Sequence, residues 1–183
     1  TDGRGDGGLA IDARLAFPEG VALDHSGNLY VTDYVDNRVR KIGPDGTITT
    51  VAGGGSPADG LGDGGPATAA RLNGPNYITL DGGGNLFIAD WDNYRVRQVD
   101  PHGIISTVAG IGREHYAGDG ALATATGLRG PIGLAVDAAG NLLITDSEGP
   151  LHAGDGLGAN ERVLKLFGAA APGLIAGQPF PKP

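Results

Sequence analysis

Cysteine and methionine are both missing from this 183-residue chain. Without thiols there can be no disulfide, no haem attached through cysteine and no thiolate metal site, so packing and hydrogen bonds must hold the fold. Their absence does not by itself decide the compartment. Aromatic residues are scarce as well, at 5% with a single Trp. Lys and Arg number 13 against 21 Asp and Glu, giving a net charge of −8. No basic stripe with interleaved aromatics is present to meet phosphates, which argues against nucleic acid as a partner. No apolar run approaches the roughly 18 to 20 residues that cross a bilayer as a helix, so no transmembrane segment is expected in this chain.

The chain is instead rich in turn formers, with 35 Gly and 12 Pro, and 40% hydrophobic residues suffice for a packed domain. These residues fall into three copies of one pattern. Asp6, Asp63 and Asp119 head the copies, at spacings of 57 and 56 residues. Within each copy short β-type runs alternate with turns, a long period that points to propeller blades around an axis.

Val21 and Leu23, Ile78 and Leu80, and Leu134 and Val136 alternate with small or polar residues, as a strand with two distinct faces requires. Asp24 to Asn28, Asp81 to Asn85 and Asp137 to Asn141 then supply Asp to open a tight turn and Gly for a positive φ. Leu29 to Thr32, Arg38 to Ile42 and Thr47 to Val51 are the next strands of the first copy, with Pro44-Asp45-Gly46 as another turn. The predicted blade is an up-and-down meander of four strands.

The succession PEGVALD, GNLYVTD, NRVRKI and TITTVAG resembles the NHL-repeat family of β-propellers, in particular its bacterial form with a Gly-Asp-Gly-Gly linker. The likeness covers nearly the whole chain and implies an all-β propeller. It leaves function open, since NHL-like propellers include binding platforms, parts of large surface proteins and a few lyases.

The expected organisation is one propeller segment over 1–183. Its blades lie at about 6–53, 63–110 and 119–177, the last carrying an insertion at 147–160, and a tail follows at 178–183. The insertion shows as 16 residues between Asp146 and Arg162, against 5 from Asp33 to Arg38 and from Asp90 to Arg95. Register returns afterwards, so Leu174 to Gly177 is predicted as the last strand of the third blade. Closed propellers have about four to eight blades, so a three-blade segment belongs to a larger ring, here expected to hold about six. Two chains closing a six-bladed ring, or missing blades on a longer polypeptide or another subunit, would each cover the apolar faces at the two ends; an open arc is the third alternative.

A residue repeated in every blade most simply serves the blade. Asp33, Asp90 and Asp146, followed by Arg38, Arg95 and Arg162, are therefore read as structural bridges between strand ends and turns. Asp6, Asp63 and Asp119 precede small-residue stretches suited to a helical turn and are expected to cap or turn rather than bind calcium. Arg4-Gly5-Asp6 spells an adhesion tripeptide, but Gly5-Asp6 belongs to the repeat. Gly53-Gly54-Gly55 lacks the Lys and following helix of a phosphate loop.

Features found in a single blade are free to serve a site. The insertion and the linkers Gly53 to Gly62 and Ile111 to Gly118 are predicted to emerge on one face. Binding-loop candidates there are Arg113, Glu114, His115, Tyr116, Glu148, Leu151, His152 and Asp155. Glu19, Asn76 and Ile132 occupy equivalent positions before the innermost strands. Propeller lyases and hydrolases place divalent-metal ligands near the channel, and Glu19 and Asn76 imitate two such ligands, although no His stands at the equivalent sites.

The expected function is a non-enzymatic binding or assembly module within a larger extracytoplasmic protein or complex, needing no cofactor. Its partner is a protein or a second copy that completes the propeller. The alternative is a metal-dependent lyase or hydrolase whose remaining ligands lie on other blades. A chain opening Thr1-Asp2-Gly3 reads as a processed protein or a piece of a longer one, for which secretion is the expectation.

Overall fold

A computed structural model describes residues 4–58, 60–113, 120–147 and 162–166. The first blade comprises Pro18–Leu23 (β1), Leu29–Asp33 (β2), Arg38–Ile42 (β3) and Ile48–Gly53 (β4), paired antiparallel in that order. Turn chemistry fixes its register. The Asp24 carboxylate accepts the N–H groups of Ser26 and Asn28, each at 2.9 Å, while Gly27 takes a φ of 79° that a side chain would resist. Asp81 and Asp137 do the same work for Asn85 and Asn141 in the later blades.

Pro75–Leu80 (β5), Leu86–Asp90 (β6), Arg95–Val99 (β7) and Ile105–Ala109 (β8) form the second blade. Pro131–Val136 (β9), Leu142–Asp146 (β10) and Arg162–Leu166 (β11) form the described part of the third. Asp146 pairs with Arg162 just as Asp33 pairs with Arg38, so register does return after the insertion. The strand predicted at Leu174 to Gly177, like the insertion itself, lies outside the described residues. The protein is all-β, a run of propeller blades, as its repeats imply.

The blades stack face to face. Ala22, Tyr30, Val39 and Ala52 of the first meet Leu72, Ile78, Leu86, Ile88, Val99 and Ile105 of the second in one core. Phe87, Val96 and Ala109 of the second meet Leu128, Leu142, Ile144, Leu164 and Leu166 of the third in another. Glycine sets the spacing between the first two innermost strands. A Cβ on Gly20 would sit 2.5 Å from the Asn76 carbonyl oxygen, so only Gly lets β1 approach β5 this closely.

The linkers of the first two blades cross to the outer edge of the blade they introduce before turning inward. Gly7 donates to the Ile48 carbonyl at 2.8 Å and Ile48 to that of Gly8 at 3.0 Å. Gly64, Gly65 and Ile105 repeat the exchange in the second blade. This strap occupies the edge that an outer strand would otherwise leave open to pairing. The helical turns expected after it are present as 3₁₀ turns at Ala10–Asp12, Ala67–Ala69 and Ala123–Ala125. None is capped by a side chain. Asp6 and Asp63 instead turn their carboxylates onto arginines of the sheet, which corrects the capping expectation for these two; Asp119 lies outside the described residues.

Candidate binding surface

The loop between the second and third strands of each blade is tied to the segment that enters the innermost strand. Val35 donates to the Ala16 carbonyl at 3.0 Å, Asp92 to that of Asn73 at 3.1 Å and Ser147 to that of Gly130 at 3.1 Å. The outgoing linker joins them, since the Arg95 guanidinium donates to the Ile111 carbonyl at 3.1 Å. These loops therefore share one end of the arc. Arg113 is exposed there. Glu114, His115, Tyr116, Glu148, Leu151, His152 and Asp155 lie outside the described residues.

Phe17 is a strained residue of this end, where Asn37 and Tyr94 also take a positive φ. It is exposed and has a φ of 65°, where the second blade uses Gly74 at 61°. A bulky side chain adopts this left-handed conformation at a cost of roughly 1–2 kcal/mol. Its ring packs on Tyr34 at 6.1 Å between centroids. Burial pushes the Tyr34 phenol up, and the negative charges of Asp92 and Glu19 push it further. Burial likewise raises the Glu19 carboxyl.

Glu19 and Asn76, the two weak metal candidates, are placed differently. Glu19 is exposed, while Asn76 is shut inside the interface of the first two blades. The Asn76 backbone carbonyl accepts the Thr32 hydroxyl at 2.9 Å, and its side-chain Oδ1 has no hydrogen-bond partner among the described residues. Among those residues no three His, Asp or Glu side chains converge as a cation cage.

The repeated aspartates do occupy equivalent positions. Asp33, Asp90 and Asp146 are fully buried and accept the backbone N–H groups of Ala16, Asn73 and Arg129 at 2.7, 2.7 and 2.8 Å. Their ionic partners differ from expectation in two blades. Arg162 does pair with Asp146, at 2.5 Å. In the first and second blades the pairing arginine is instead two residues further along: Arg40 lies 3.7 Å from Asp33 and Arg97 lies 3.3 Å from Asp90. Both guanidiniums are fully buried and reach out to the linker aspartates, Arg40 to Asp6 at 2.5 Å and Arg97 to Asp63 at 2.6 Å.

The repeat itself carried the signal for this network. Arg40 and Arg97 are equivalent, and the third blade has Leu164 in their place. Asp6 is thus engaged within the blade, and Arg4 pairs with Asp36, so the Arg-Gly-Asp tripeptide is built into local structure.

Four-stranded meanders, edge straps and the Asp–Arg network together define an NHL-type β-propeller segment. Comparison with known proteins narrows the class. The family model of the teneurin NHL domain matches residues 1–59 and 55–116, and the chain belongs to that family. It is 34% identical to mouse Teneurin-3 over 102 residues, covering 49% of this chain and 4% of that protein. Human Teneurin-4 is similar at 34% over 101 residues, with the same shares. This chain therefore spans only a small part of the length of these relatives. Among solved structures, a gluconolactonase from Xanthomonas campestris superposes with a TM-score of 0.63 at 20% identity, over 93% of this chain and 48% of that one. A virginiamycin B lyase from Staphylococcus aureus gives 0.54 at 16%, over 91% and 41%. At these identities the likeness is one of fold.

Proposed function

We propose that this chain is a non-enzymatic, protein-binding propeller module that works, without a cofactor, within a larger extracytoplasmic protein or complex. The observation that carries the reading is the bare apolar face of the first blade. Val21 and Leu23 are 64% and 67% exposed, whereas Ile78, the counterpart of Val21 in the second blade, is 6% exposed beneath its neighbour. A contiguous apolar sheet face of this kind marks a surface made to be covered by protein. Membership of the teneurin NHL family supports the larger-protein context. The insertion 147–160, with Leu151 and His152, and the linker residues Arg113 to Tyr116 supply the contacts that are particular to this protein.

A lyase or hydrolase is the second reading, favoured by the buried, unpartnered Oδ1 of Asn76 and the raised carboxyl of Glu19. Elemental analysis and lactone-hydrolysis assays with added divalent ions separate the two. The module reading expects no stoichiometric metal and no turnover. A metal near one per closed ring, with turnover lost in Glu19→Ala, would overturn it. Deleting Leu151 to Gly158 is expected to leave the β-sheet circular dichroism unchanged while weakening association with the partner. Unimpaired association would remove the insertion from the binding surface.

A further inference from the structure

At the loop end of the arc an aromatic ring of one blade lies on a glycine of the next, and it does so at both junctions. Tyr34 and Trp91 share one repeat position, directly after β2 and β6, while Gly74 and Gly130 share another, directly before β5 and β9. A Cβ on Gly74 would sit 3.1 Å from the Tyr34 ring and 2.8 Å from Asp92 Oδ2, and one on Gly130 would sit 2.9 Å from the Trp91 indole nitrogen. Glycine lets these side chains close on the backbone. Both junctions are internal to the chain, so their make-up owes nothing to what joins either end of it.

The first of these junctions adds charge to the ring. Burial pushes the Tyr34 phenol up, and the negative charges of Asp92 and Glu19 push it further, so both carboxylates stand near that ring. Asp92 and Glu19 are exposed, and among the described residues neither forms an ion pair. The arrangement is held in place before anything binds. Tyr34 donates its N–H to the Phe17 carbonyl at 3.3 Å, Gly74 donates to the Asn37 side chain at 2.8 Å and Asp92 to the Asn73 carbonyl at 3.1 Å. Phe17, strained at a φ of 65°, sets a second ring 6.1 Å from that of Tyr34.

Two unpaired carboxylates beside half-buried rings suit a cation that is broad, flat and weakly hydrated. A divalent metal ion takes about six or more oxygen ligands, whereas no three acidic or His side chains converge among the described residues. A guanidinium meets both features at once, stacking on the ring while its N–H fork donates to a carboxylate. Phosphate-rich partners are repelled by the same charges. We propose that this end of the propeller receives an arginine-bearing segment of a partner protein, with one guanidinium on the Tyr34 ring flanked by Glu19 and Asp92, and with the Trp91 indole as the neighbouring contact. The proposal rests on the reading of the chain as a protein-binding module and names the chemistry of what it binds.

Trp91 is the single Trp of the chain and directly precedes Asp92, so its fluorescence reports on this surface. The probe is a short peptide alternating Arg and Ser, titrated at physiological salt beside its Lys-Ser and Glu-Ser counterparts. The Arg-Ser peptide is expected to give a saturable change in Trp91 emission and the Glu-Ser peptide none, with the Lys-Ser peptide at least about threefold weaker than Arg-Ser. Asp92→Asn removes charge but little shape, and is expected to weaken Arg-Ser binding about tenfold. Tyr34→Leu should do the same with unchanged circular dichroism. Asp45→Asn, in the turn between β3 and β4 at the other end of the blade, alters the net charge equally and is expected to leave binding intact. Equal weakening by Asp45→Asn would reduce the effect to net charge and overturn the site. An Arg-Ser peptide that does not bind, or that the Lys-Ser peptide matches, overturns it too. If the Arg-Ser peptide fails while deleting Leu151 to Gly158 still weakens association with the partner, the module reading stands without this surface. Metal-dependent turnover of lactone would instead sink the module reading, and peptide binding would still decide the site on its own.

Discussion

Arg97 and Asp90 show how costly charges become useful inside a sheet. Burial pushes the Asp90 carboxyl up to about 6, against the lowering effect of the Asn73 N–H, the Asn93 amide and the Arg97 charge. A folded-state value above the ordinary 3.8 means that this group favours the fold fully below about pH 4, and the contribution is lost as pH rises through 6. Urea unfolding of Asp90→Asn should therefore lack one upward step in stability that the parent shows between pH 6 and 4; identical pH profiles would place the proton elsewhere. Removing the cation instead leaves a buried carboxylate alone. Arg97→Leu should cost about 3–5 kcal/mol at pH 7, and adding Asp90→Asn should recover much of it. The third blade already carries Leu164 at this position because Arg162 takes over the carboxylate. Sequence alone shows the substitution but not the partner exchange, since Arg38 and Arg162 occupy the same register and only side-chain direction separates their roles.

At the level of elements, the strap is the part of the repeat whose use depends on side-chain direction. Asp63 holds it at two points, accepting from Arg97 at 2.6 Å and from the Thr107 hydroxyl at 2.7 Å. In the first blade burial pushes the matching Asp6 carboxyl up, but the hydrogen bond and charge of Arg40 help to hold it below its ordinary value. Asp63→Ala should cost about 1–3 kcal/mol and speed hydrogen exchange at the Ile105 amide, which is bonded to the strap carbonyl of Gly65. Unchanged protection at Ile105 would show that the backbone bonds suffice. Strand order, turns and the return of register after the insertion were legible in the sequence, because alternation and Asp-to-Asn turns are local signals. The strap was not. Gly-Asp-Gly-Gly announces a turn, but a carboxylate aimed at an arginine 34 residues away leaves no mark in any short window. The insertion was legible as an interruption, and its residues Glu148 to Asp155 remain outside the described structure, so that surface rests on sequence and on its placement beside Ser147.

For the whole molecule, what matters is that among the described residues the two cores lie between blades adjacent along the chain, so stability is a sum of blades and junctions rather than of one core. The two junctions are unequal. Thr32 reaches the Asn76 carbonyl at 2.9 Å and the Asn37 side chain accepts the Gly74 N–H at 2.8 Å, while Ala89 and Tyr94 stand at the corresponding positions of the next junction and supply neither bond. That asymmetry has a mechanical meaning. A propeller segment within a longer chain transmits tension between whatever is joined to its two ends, and its junctions act as links of graded strength. Stretched from its termini in a single-molecule experiment, the arc should part first between the second and third blades, releasing the third while the first two hold together to higher force. Exchanging Thr32 for Val should bring the two rupture forces closer, and an unchanged gap would locate the stronger link elsewhere. Side chains that space two sheets would then also set the order in which the molecule yields.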